Sequence, residues 1–225
     1  MRPRLPANEG ARMAVVLGGF ALIAAAVLGT AHELTEGPIQ RRERAELRRT
    51  LNRVVPPTAY DNTLVRATRV VRTARGDAVR VYRGTRDGAV TAVAFQVLAP
   101  GYNGPIRLLM GLERHGRVLG VRVLDHQETP GLGDRIEARK SDWILDFTGR
   151  SLGNPLRGQW TVEKDGGVFD QFTGATITPR GVVAGVRRGL LFFRRHRAAL
   201  LDPAAGGDAA TDAPALDATD EGESG

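Results

Sequence analysis

From Met13 to His32 the chain reads MAVVLGGFALIAAAVLGTAH, about 20 residues without a formal charge, the length a helix needs to cross a bilayer core. A run of this kind limits what the rest of the chain can be. An uncharged helix of that length is rare inside a modest soluble domain, so residues 13–32 are expected to form an uncleaved transmembrane helix. A cleaved signal peptide with a small-residue exit near Ala25-Ala26-Val27 is the competing reading. Residues 1–12 then form a short basic cytoplasmic end, with Arg2, Arg4 and Arg12 against Glu9. Beyond the span, Arg41, Arg42, Arg44, Arg48, Arg49 and Arg53 alternate with Glu43 and Glu46, so charge alone leaves the orientation open.

Residues 33–59 read as a juxtamembrane helix and linker. Gly37-Pro38 interrupts the chain, 39–54 carries a loose apolar face of Ala45, Leu47, Leu51 and Val54, and Pro56-Pro57 ends it. That face suits either lipid headgroups or the following domain. Residues 60–201 hold one domain. Alternating stretches at 79–82 and 89–98 predict strands. In the second, Val90, Ala92 and Ala94 lie on one face and Val93, Phe95 and Val97 on the other, which predicts a central strand covered on both sides. Apolar runs at 106–112 and 118–124, joined by Glu113-Arg114-His115-Gly116-Arg117, predict a hairpin. A short helix is expected over 137–147 and a further strand over 160–163. Thr178-Pro179 reads as a helix start, with threonine as N-cap and proline at the first helical position. From there an amphipathic helix carries Val182, Val183, Val186, Leu190 and Phe193 toward Leu201. Residues 202–225 hold Asp208, Asp212, Asp217, Asp220, Glu221 and Glu223 and no basic residue, the composition of a disordered acidic tail. The expected fold class is α+β: a twisted, mostly antiparallel sheet with flanking helices, preceded by one transmembrane helix.

Several chemistries are excluded by residue type. The chain has 0 cysteines, which removes disulfides, thiolate zinc sites, Cys-ligated iron–sulfur clusters and c-type haem. His32, His115, His126 and His196 have no metal-ligand spacing and read as isolated surface histidines; no metal site is expected. Ser141 and Ser151 lack a nucleophile-elbow context, and no Walker lysine motif occurs. Net charge is +7, but the cations are scattered and aromatics make up only 5%, so nucleic acid is not an expected partner.

Two kinds of stretch remain. Gly101-Tyr102-Asn103-Gly104-Pro105-Ile106 and His126-Gln127-Glu128-Thr129-Pro130-Gly131-Leu132-Gly133 place glycines beside polar residues at strand ends, where a ligand ring can approach the backbone. By residue type alone they are equally well ordinary turns. The string Asp170-Gln171-Phe172-Thr173-Gly174-Ala175-Thr176-Ile177-Thr178-Pro179 clusters hydroxyls around a glycine just where a helix begins, and such helix starts bind anions.

Asp170-x-x-Thr173-Gly174-Ala175-Thr176 resembles the flavin-attachment motif D-x-x-[S/T]-G-A-T of the FMN-binding domain family. The fuller string DQFTGATITP, with the upstream GYNGPI and ETPGLG, resembles the G-subunit family of Rnf-type electron transport complexes, over roughly residues 10–200 and in the same order. The C subunit of the sodium-pumping quinone reductase shares the attachment motif but carries a longer domain, and is the second choice. The resemblance implies FMN joined covalently to Thr176 through a phosphoester and installed from FAD by a dedicated flavin transferase. It implies Asp170, Thr173, Gly174 and Ala175 as the attachment turn, Thr178 beside it as the helix cap and rival hydroxyl, and Tyr102, Glu128, Thr129, Gly131 and Leu132 as candidate walls for the ring. It further implies a single-pass inner-membrane protein with the flavin domain on the periplasmic side. Such a protein relays electrons within a translocase made with other membrane subunits and is not catalytic alone. A cofactor-free, membrane-anchored assembly module is the alternative from a different class.

Overall fold

The structure, a computed structural model, describes residues 10, 13, 16–24, 45–73, 76 and 78–202. Contacts divide the chain into two units, Met1–Glu46 and Leu47–Gly225. In the first unit residues 16–24 are helical, and Met13, Val16, Leu17, Phe20, Leu22 and Ile23 all expose most of their side chains. Among the described residues no helix is long and apolar enough to cross a membrane. The rest of the expected span 13–32, residues 39–44 of the expected juxtamembrane helix, and the expected acidic tail beyond Asp202 lie outside the described residues.

The second unit is built on a five-stranded antiparallel sheet in sequential order: β1 (Thr68–Arg72), β2 (Ala78–Arg86), β3 (Ala89–Pro100), β4 (Pro105–Glu113) and β5 (Val118–Asp125). The predicted hairpin is β4–β5. Its neighbour β3–β4 runs in unbroken register from Ala92↔Glu113 to Pro100↔Pro105, so residues 101–104 form a tight turn at one end of the sheet. Strand β3 is central and covered on both faces, as its two apolar faces require. Ala92 and Ala94 face a smaller core with Leu51, Val54 and Val55 at the end of helix α1, which covers 45–54. The apolar face of α1 therefore packs on the sheet, and Pro56 and Pro57 stop the helix as expected. Val93, Phe95, Val97 and Ala99 belong to the larger core under the C-terminal helix α2 (Ile177–Leu201).

Helix α2 owes its position to a glycine stripe. Gly181, Gly185 and Gly189 recur every four residues and so share one helix face. A methyl group added at Gly181 would lie 1.7 Å from the Pro100 carbonyl oxygen, one at Gly185 2.7 Å from Ala99 Cβ, and one at Gly189 2.3 Å from Met110 Sδ. The helix backbone thus rests directly on β3, with Val182, Val183, Val186 and Leu190 buried around the contact. At the far end Arg69 of β1 donates to the Ala199 carbonyl and Arg83 of β2 to the Asp202 carbonyl at 2.8 Å. These are the C-terminal acceptors that a helix leaves without partners, and a cation suits that end of its dipole. Pinned at both ends, α2 carries its N-terminus to the same end of the sheet as the 101–104 turn.

Two expected elements differ. The segment 137–147 is not one helix: short 3-10 turns occur at Gly133–Ile136 and Trp143–Phe147. The segment 160–163 is not a sheet strand. Trp160 and Phe169 stack with Phe147, ring centroids 6.3 and 4.7 Å away, and Val162 makes only an isolated bridge to Phe169. The outer edge of β5 is instead met by Gly149 and Arg150, which exchange backbone hydrogen bonds with Val118 at 2.8 Å. The alternation at 160–163 reflects burial in an aromatic cluster, not a ladder position. That cluster has a consequence nearby: Trp143 packs edge-on to Phe172 at 5.2 Å, and its indole N–H donates to the Asp170 carbonyl at 2.9 Å, fixing the chain just before α2.

Candidate functional site

Three segments separated in sequence converge at the N-terminus of α2: the 101–104 turn, the 126–133 segment that leaves β5, and the 172–178 turn. They enclose a cavity of about 400 Å3 lined by Tyr102, Glu128, Thr129, Leu132, Gly133, Gly174, Ala175, Thr176, Ile177 and Thr178. Eight of the eleven candidate residues from the sequence lie on its wall. Gly131 sits one residue off the wall in a positive-φ turn at 79°, and Thr173 is exposed on the turn before it. Asp170 is exposed and lines a separate groove with Arg135, Trp143, Asp146 and Phe172. Gly133, at the end of the 126–133 stretch read from the sequence, and Ile177, within the 170–179 string, are further wall residues.

Glu128 ties the three segments together. It is 4% exposed. Its Oε1 accepts the backbone N–H groups of Tyr102 at 2.9 Å and Asn103 at 3.0 Å, and its Oε2 accepts the Thr178 hydroxyl. Asn103 Nδ2 adds a second link, donating to Thr129 Oγ1 at 3.2 Å. A buried carboxylate needs donors on both oxygens, and these come from all the walls at once. Gly133 is required for the fit: a Cβ there would lie 2.9 Å from Thr178 Oγ1 and 3.0 Å from Glu128.

Of the two threonines at the helix start, Thr178 has a different place from the one expected. The helix begins at Ile177, with Thr176 at the cap position in helical geometry. Thr178 is the second helical residue, 1% exposed, and so is not the N-cap; its hydroxyl donates to Glu128. Pro179 is the third helical residue, two positions later than expected, and is still tolerated, because no intrahelical bond is needed from the first N–H groups. Thr176 makes no capping hydrogen bond either. It is half-buried on the cavity wall, beside Gly174 at φ 85°, where an L side chain is disfavoured. The helix start thus has no side-chain cap over its free N–H groups and an uncommitted hydroxyl next to them.

Outside the wall lies a charged network. His126 is not an isolated surface residue; it is half-buried, with Nδ1 accepting the Glu128 N–H at 3.0 Å and Nε2 at 3.2 Å from Glu137 Oε1. His196 is also half-buried, with Nδ1 3.0 Å from the Phe192 carbonyl oxygen. Arg139, then Lys140 and His126, hold the Glu137 carboxyl down to about 2 from its ordinary 4.5. Lys140, paired to the buried Asp134 carboxylate, keeps that group low as well. Among the described residues no cluster of three His, Cys, Asp or Glu side chains could hold a metal ion.

The residues present fit FMN. The cavity volume lies in the range of small-molecule sites, and Tyr102, Leu132 and Ile177 present exposed apolar surface at 67%, 42% and 48%. Uncapped N–H groups of α2 suit a phosphate, and no side chain larger than a methyl stands between Thr173 and Thr176.

Residues 101–191 match the FMN-binding domain family and residues 8–54 match the RnfG N-terminal region. The G subunit of the ion-translocating oxidoreductase complex of Cereibacter sphaeroides is 50% identical over 205 residues, covering 89% of this chain and 94% of that one. The corresponding G subunit of Vibrio vulnificus is 45% identical over 192 residues, covering 84% and 91%, and that of Vibrio cholerae 43% over 187 residues, covering 81% and 90%. The crystal structure of NqrC from Shewanella oneidensis aligns with a TM-score of 0.43 at 22% identity, covering 66% of this chain and 71% of that one.

Proposed function

This chain belongs to the G-subunit family of ion-translocating oxidoreductase complexes, and from that premise we propose that it is a membrane-anchored flavoprotein subunit carrying FMN on Thr176. It acts as one component of an oxidoreductase translocase together with other membrane subunits, and is not catalytic alone. When bound, the flavin supplies one- and two-electron chemistry; the protein supplies tethering, orientation and tuning.

One observation carries the assignment to Thr176. Of the two hydroxyls at the helix start, Thr178 is buried and committed to Glu128, while Thr176 lies on the cavity wall without a capping bond. A threonine hydroxyl is a weak nucleophile and needs a separate catalyst. A flavin transferase drawing on FAD would join the Thr176 oxygen to the FMN phosphorus as the AMP half leaves. Gly174 and Ala175 leave that enzyme room, and the exposed Asp170 carboxylate is a feature it can recognise on the far side of the turn. The first N–H groups of α2 would hold the phosphodiester, and Tyr102 with the 128–132 wall would take the ring.

Residues 13–32 are the anchor in this reading. The apolar side chains exposed around 16–24 support lipid as their surroundings, with the flavin domain periplasmic. The match of residues 8–54 to the RnfG N-terminal region, a feature the attachment motif does not carry, favours the Rnf-type G subunit over the sodium-pumping C subunit. The test is in-gel flavin fluorescence after co-expression with a flavin transferase. The wild type and Thr176→Ser are expected to fluoresce and Thr176→Ala to be dark. Fluorescence retained in Thr176→Ala overturns the site, and a dark wild type favours the cofactor-free assembly module.

A further inference from the structure

His126 belongs to neither the cavity wall nor the attachment turn, yet both of its ring nitrogens are committed. Nδ1 accepts the backbone N–H of Glu128, two residues on, so it carries no proton. The proton is then on Nε2, which donates to Glu137 Oε1. The groups around the ring favour this state. Glu137 stays anionic because Arg139 pairs with its Oε2 and Lys140 Nζ lies 3.0 Å from its Oε1; Asp134 completes the cluster through Lys140. On the strand side Asp125 is occupied by Arg107 at 2.9 Å, and on the helix side Thr178 meets Glu128, not the imidazole.

We propose that His126 is a positioning residue for the cavity wall, holding Glu128 in place only while its Nδ1 is unprotonated. A second proton, taken from solvent at Nδ1, removes the acceptor and sets N–H against N–H. Either the ring turns away or the 126–129 segment moves. Glu128 then shifts, and with it the Tyr102 and Asn103 amides and the Thr178 hydroxyl that all bond its carboxylate. Imidazole is the side chain type that can take a second proton near neutral pH, and the carboxylates beside it, Glu137 and Asp134, are held low and stay anionic there. The inference concerns the wall itself and stands whatever ligand the cavity takes.

The test is 15N NMR on the full-length, flavin-free chain in detergent, from about pH 8 to about pH 5. At the upper end the His126 ring is expected in the Nε2–H form. On acidification the Tyr102, Asn103, Glu128 and Thr178 amides are expected to shift as the His126 ring takes its second proton, and the protection of the Glu128 amide, its exchange rate relative to the intrinsic rate at each pH, to fall by about tenfold or more. His126→Asn keeps an acceptor for an N–H two residues on but takes no proton; it is expected to retain Glu128 protection and lose the pH response, whereas His126→Ala loses protection throughout. An Nδ1–H tautomer, cavity amides indifferent to the His126 titration, or an unchanged pH response in His126→Asn overturns the proposal. The wild-type titration decides the matter even if a variant fails to fold.

Discussion

Thr176 and Thr178 differ by two positions and one hydrogen bond, and that bond separates a committed hydroxyl from one that makes no capping bond. Thr178 and Glu128 form the buried half of the site, Thr176 the open half. Sequence favoured Thr176 through the motif but gave Thr178 the cap, since Thr-Pro is a common helix start; the partner that recruits Thr178, Glu128, lies fifty positions away by number and only folding brings them together. His126 was unreadable for the same reason: its partners are set by how the 126–140 segment folds back. That segment also sets an acid limit on stability. Glu137 is held at about 2 instead of 4.5, so the folded state binds its proton less readily than the unfolded chain. Its contribution is full above the ordinary value and is lost as pH falls from 4.5 toward 2. Thermal unfolding is expected to show a falling midpoint across that window in the wild type and a shallower fall in Glu137→Gln; equal slopes would remove Glu137 as the group responsible.

At the scale of elements, the position of the site depends on how closely α2 lies on β3. The apolar positions of α2 announced an amphipathic helix, and the covered strand and the β4–β5 hairpin were equally legible, because their periodicities depend on burial alone. The glycines at 181, 185 and 189 were present in the same string and were not singled out; their role is a close approach, visible only once the Pro100 carbonyl stands opposite. Segments 137–147 and 160–163 were misjudged where aromatic packing, not backbone period, fixes the chain. Gly181→Ala would drive a methyl group into the Pro100 carbonyl oxygen, 1.7 Å from its ideal place. It is expected to destabilise the domain by about 3 kcal/mol or more in denaturant unfolding. Gly158→Ala, with nothing within 4 Å of the added carbon, is the control and is expected within about 0.5 kcal/mol of wild type. If both substitutions were equally mild, the helix would not be seated by its glycine stripe.

For the whole molecule, the proposed anchor precedes a domain whose cavity wall carries the Thr176 hydroxyl. The chain is expected in the membrane fraction, and removal of residues 1–32 is expected to release a folded domain into the soluble fraction; a truncated form that stayed with the membrane would place the lipid contact elsewhere. The central claim is covalent FMN on Thr176, and intact mass of the full chain co-expressed with a flavin transferase tests it most directly. The wild type is expected to exceed its polypeptide mass by one FMN less one water, and Thr176→Ala to match its bare polypeptide mass. The same increment on both proteins, or on neither, would contradict that claim.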